Sequence, residues 1–172
     1  VLEALLESEW HEARLCALVI LTARFRKEPE AVVEFYLRHT EGINNWDLVD
    51  LSCPYILGEW CRTHSHDILF ALAKSDNMWE QRIAIVSTLT LVRNGSFDTT
   101  LTLAESFLTH KHDLMHKATG WLLREVGKRD TDTLLHFLNT HAHHMPRTAL
   151  RYAIEEFPQS TRTDYLSIKQ SR

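Results

Sequence analysis

Apolar residues recur every three to four positions along almost the entire chain, and no stretch alternates apolar and polar residues for long. That period belongs to amphipathic helices. "WHEARLCALVILTARF" predicts a helix with Leu15, Leu18, Val19 and Thr22 on one stripe and charges opposite. Similar patterns predict helices at about 29–39, 46–62, 67–74, 77–93, 98–109, 114–127, 131–141 and 147–157. Breaks are expected at Pro29, "EGINN", "SDN", "RNGSFD", Gly127 with "KRD", and Pro146. The expected fold class is all-α.

The helices repeat. The blocks "EARLCALVIL", "DLVDLSCPYIL", "EQRIAIVSTL", "HKATGWLLRE" and "PRTALRYAIE" place Arg14, Val49, Arg82, Lys117 and Arg147 at one recurring position, 30 to 35 residues apart. This is the length of a helix–turn–helix unit, so a right-handed superhelical solenoid of HEAT-like helical pairs is expected, with cations recurring along a concave groove. The second block is the exception. It lacks the basic residue and carries Trp46, Asp47 and Asp50.

In "NNWDLVD", residues 44–50, the asparagines are natural caps and a helix is expected from Trp46. Trp46 and Asp50 lie four residues apart and share a face, while Asp47 points elsewhere. Spacing alone is satisfied equally by an aromatic plate beside a catalytic carboxylate and by a packed helix with solvated acids.

With 172 residues the chain is expected to form a single domain. No run reaches the roughly 18–20 apolar residues of a membrane span. Three cysteines, Cys16, Cys53 and Cys61, are an odd number without metal-like spacing and read as buried thiols in a reducing, cytoplasmic setting. The net charge of −4 opposes generic nucleic-acid binding, but the balance runs from −5 over residues 1–50 to +3 over residues 115–172. Histidines in "HSH" and "HAHH" lack the companion ligands of a zinc site, so neither a metal nor another cofactor is expected. The opening "VLEALLESEW" is already amphipathic and lacks an initiator Met, which leads us to expect further helices ahead of it.

Four segments together resemble the AlkD-type DNA alkylation repair glycosylases: "NNWDLVD", "SDNMWEQRIAIVS", "HKATGWLLREVGK" and "MPRTALRYAIE". They occur in that family's order at near-family spacing, over about residues 2–157. The resemblance implies hydrolysis of the N-glycosidic bond of cationic alkylated purines, such as 7-methylguanine and 3-methyladenine, in duplex DNA. The base stays stacked, unlike the substrate of base-flipping enzymes. It implies a catalytic carboxylate at Asp50, tryptophans lining the deoxyribose at Trp46 and Trp121, and a phosphate-holding arginine at Arg82. Arg124 sits where the family is also basic; Arg93, Lys117 and Arg147 complete the expected DNA contacts. Trp10, Trp60 and Trp79 match no functional position and are read as structural. The expected protein is a monomeric base excision repair enzyme. A non-catalytic HEAT-like module on distorted or branched DNA, or a protein–protein scaffold, would share the fold. The former has no use for an acid facing a phosphate track.

Overall fold

The computed structural model describes residues 1–169, and among them every regular element is helical. The order is α1 (Leu2–Leu6), α2 (His11–Arg24), α3 (Pro29–Arg38), a 3₁₀ turn (Thr40–Gly42), α4 (Trp46–Cys53) running into a π turn (Pro54–Gly58), α5 (Asp67–Ala73) and α6 (Met78–Arg93). Then come α7 (Asp98–Ser106), α8 (Asp113–Gly127), α9 (Thr131–His141), α10 (Arg147–Ala153) and α11 (Gln159–Ser167). The chain forms two compact units, Val1–Leu91 and the part from Val92 onward. The fold class is all-α.

In the first unit α2 packs against α1, α3 and α4. The face it buries carries Ala17, Leu18 and Leu21. The expected stripe is therefore wrong by roughly one residue: Leu18 is on it, whereas Val19 is exposed and Thr22 bonds back to the Val19 carbonyl. Neighbours on several sides select which part of a broad apolar surface is covered, and one sequence window leaves that undetermined. The same rotation leaves Cys16 exposed, correcting its expected burial; Cys53 and Cys61 are buried. Trp10, read as structural, is also largely exposed just ahead of α2.

The helix expected at 46–62 starts where predicted, capped by Asn45, but changes pitch at Pro54. Proline has no N–H to return to the Asp50 carbonyl, so an α-helical ladder cannot continue there. The wider turn that follows is held from α6: Thr90 Oγ1 donates to the Pro54 carbonyl at 2.6 Å. Gly58 then lets the two backbones meet. A Cβ at this position would lie 2.5 Å from the Ser87 carbonyl oxygen and 2.8 Å from Thr90 Oγ1. Tyr36 of α3, fully buried, bonds Ser52 from the other side at 2.9 Å. Small residues thus bring the π turn and α6 together, in the segment that follows α4.

In the second unit α8 packs against α7, α9 and, over its longest interface, α10. Gly120 permits that approach, since a Cβ there would lie 2.4 Å from the Ala149 carbonyl oxygen. The helix expected at 147–157 stops at Ala153, and α11, which was not expected, follows Pro158. No α11 residue is buried, so it has no apolar stripe to betray it. Hydrogen bonds hold it instead: Arg147 Nη2 to the Leu166 carbonyl at 2.6 Å, and Tyr165 Oη to Asn139 at 3.0 Å.

In an unobstructed helix, Gly→Ala gains about 0.5–1 kcal/mol. Gly58→Ala should do the opposite and cost about 1–3 kcal/mol, because backbone atoms of α6 cannot move aside. Chemical denaturation of the two proteins checks the sign.

Candidate functional site

The first turn of α4 is built by its own polar side chains. Asn45 Oδ1 accepts from the Trp46 N–H at 2.8 Å, and Asp47 Oδ1 accepts from the Leu48 N–H at 2.9 Å. Both satisfy amides that a helix start leaves without intrahelical partners. Trp46, placed at this start, is 53% exposed. A core role for Trp46 is thereby excluded.

Asp50, one turn further on, faces α6. Its carboxylate receives a two-pronged bond from Arg82: Nε to Oδ1 at 3.0 Å and Nη2 to Oδ2 at 2.8 Å. The side chains are 20% and 6% exposed, so the pair sits at the edge of the core with its acid towards solvent. Burial pushes the Asp50 carboxyl above its ordinary range. The Arg82 hydrogen bonds and charge pull it back down, and the charge of Asp47 pushes it up again. An Asp beside an Arg is ordinarily well stabilised as the anion. Here desolvation outweighs that, and the guanidinium keeps the ionised form within reach.

Arg82 is thus bonded to the acid of α4. The other members of the recurring basic position also make internal contacts. Arg14 donates to the Ser8 carbonyl at 2.7 Å, Lys117 pairs with Asp113 at 2.8 Å, and Arg147 reaches Leu166. Arg124 is ion-paired with Glu155. Arg93 is exposed in the last turn of α6. Trp121, on α8 of the second unit, is half-buried.

Two features of the first unit escaped the sequence. His11, at the first turn of α2, bonds Asp47 Oδ2 through Nε2 at 2.7 Å. Thirty-six residues separate the two, so no local spacing signals the pair. Cys53, one turn beyond Asp50, is wholly buried and hydrogen-bonded to Ser87, and burial pushes its thiol far above the usual range. Cys61 is pushed up to about 11. Both remain protonated at neutral pH and are poor nucleophiles. The histidine clusters have local partners: the His64 ring stacks on Trp60 with centroids 3.5 Å apart, and His143 lies against His144 at 4.0 Å.

Since the folded Asp50 carboxyl holds its proton more tightly than the unfolded one, ionising it costs stability. The loss begins near the ordinary carboxylate value of 3.8 and continues as pH rises through the elevated folded value. The stability of the parent minus that of Asp50→Asn should therefore fall with rising pH across this window, then level off. Arg82→Ala should steepen the fall and cost about 3 kcal/mol at neutral pH, by stranding a half-buried acid. Denaturation curves from pH 3 to 8 check both.

Comparison with known proteins agrees with this architecture. The family model described as "DNA alkylation repair enzyme" matches residues 1–157. No curated protein matches the chain. Among solved structures, the chain is similar to one described as a predicted DNA alkylation repair enzyme from Enterococcus faecalis. The TM-score is 0.72 at 19% identity, covering 92% of this chain and 74% of that one, a likeness of fold. With the family model spanning almost its whole length, this chain belongs to the DNA alkylation repair enzyme family.

Proposed function

We propose that the chain is a DNA glycosylase that hydrolyses the N-glycosidic bond of cationic alkylpurines, of the 7-methylguanine and 3-methyladenine type, in duplex DNA. The observation that carries this reading is the Asp50–Arg82 pair beside an exposed Trp46. Family membership supports the broad role in repair.

The chemistry asks little of the leaving group. A purine alkylated at N7 or N3 already bears positive charge, so it departs neutral with the electron pair of the C1′–N bond and needs no protonation. What must be stabilised is the sugar cation left behind. An ionised Asp50 does this by charge and orients a water on the anomeric carbon; the water's proton passes to the carboxylate and then to solvent. The indole face of Trp46 stabilises the same cation. Arg82 keeps Asp50 ionised until substrate arrives, and a phosphate beside the lesion offers that guanidinium a second anion. The sugar is thereby fixed against the acid. Trp121 and Arg124 are proposed for sugar and phosphate on their motif matches, Arg124 after release from Glu155. Arg93, Lys117 and Arg147 are proposed as further backbone contacts, with Arg147 limited by its bond to α11. Because the base need not be gripped, an open aromatic edge suffices and base flipping is unnecessary.

Release of 7-methylguanine from methylated duplex DNA tests this directly. Asp50→Asn should slow release by about 10²-fold or more while DNA affinity holds or rises, since an acid beside phosphates is removed. Equal release by parent and variant would unseat Asp50. Tight DNA binding by both, with no release from either, would instead identify a non-catalytic DNA-binding module.

A further inference from the structure

Two carboxylates, Asp47 and Asp50, lie three residues apart at the start of one helix, and the chemistry above uses only one. The groups set around Asp50 are Arg82 of α6, Asp47 and Cys53 of α4 and Tyr36 of α3. His11 of α2 joins them through Asp47. An uncompensated Asp47 would harm the site in two ways. It would disfavour the anion of Asp50 and repel an incoming phosphate.

His11 is placed to prevent this. A carboxylate can only accept, so the 2.7 Å contact requires the proton on His11 Nε2, which fixes what that ring edge does. Asp47 Oδ1 is meanwhile engaged by the Leu48 amide at 2.9 Å. Each carboxylate oxygen of Asp47 therefore has a donor that is not Arg82, and each oxygen of Asp50 has a donor on Arg82. The two acids are sorted between two partners.

We propose that His11 is a positioning residue for the Asp50 site: by holding Asp47 it fixes the neighbouring acid and screens its charge from the working carboxylate. This role rests on the reading of Asp50 as that carboxylate. It is distinct from a mere clip between α2 and α4, because a clip would affect stability without affecting Asp50.

The test follows the ¹³C resonance of the Asp50 carboxyl during pH titration of the full chain, without DNA. His11→Ala should move its midpoint upward by about half a pH unit or more, and Asp47→Asn should move it downward. The double variant should return it to the parent value or below, since without the second charge His11 has nothing to screen. An unchanged midpoint in His11→Ala, or a double variant that stays displaced upward, would overturn the proposal. Should His11→Ala fold poorly, Asp47→Asn alone decides: an unmoved Asp50 midpoint would show that no field from Asp47 needs screening. In single-turnover base release, the acid limb of His11→Ala should shift upward with the NMR midpoint while DNA affinity changes less than threefold. Absence of release from the parent would defeat the glycosylase reading, yet the titrations would still judge His11.

Discussion

The first unit is organised around the bond between a carboxylate on α4 and a guanidinium on α6. Asp50 and Arg82 lie 32 residues apart, and their two-pronged contact joins α4 to α6. Just beyond α4, Gly58 lets the π turn lie against Ser87 and Thr90 of α6, and Thr90 also takes up the Pro54 carbonyl. Packing and electrostatics are coupled here. A looser interface would admit water, weaken the pair and return Asp50 to an ordinary surface acid.

Two opposed effects act on Asp50. Burial favours the neutral acid, whereas Arg82 favours the anion. A carboxylate that is to meet a developing cation gains from a poorly solvated setting, because charge interactions strengthen as water is removed. On the proposed reading it must still be ionised when substrate arrives. A single well-aligned arginine satisfies both demands. It also explains why the cation at this repeat position lies inward, in contrast to the exposed track of charges that the repeat suggests. Arg14 and Arg147 bond backbone carbonyls, whereas Lys117 makes an exposed pair one turn back along α8.

Trp10 and Trp46 are both exposed, and what sets Trp46 apart is its place one turn before Asp50 on the same helix. Trp46 lies open at a capped helix start, beside an acid that is itself half-withdrawn from water. An indole left in solvent forgoes a large burial gain, which is why its position beside the acid carries weight. Trp60 is instead covered by a stacked histidine.

Much of the fold was legible in the sequence because helical periodicity and punctuation are local properties. The all-α class, the start of α4 at Trp46 and most helix limits follow from apolar spacing, Asn45, Pro29 and Pro146. The shared origin of Trp46 and Asp50 on one helix was equally legible. What failed were features set by neighbours. The buried face of α2 depends on helices packed on several sides; α11 is held by hydrogen bonds without an apolar stripe; the wide turn after Pro54 is held by a threonine from α6. The sequence by itself determined the helices and offered the residues that the proposed chemistry draws on. Only the tertiary structure decided that Asp50 meets Arg82 and Asp47 meets His11, since spacings of 32 and 36 residues are closed by packing between helices and leave no mark in any local pattern.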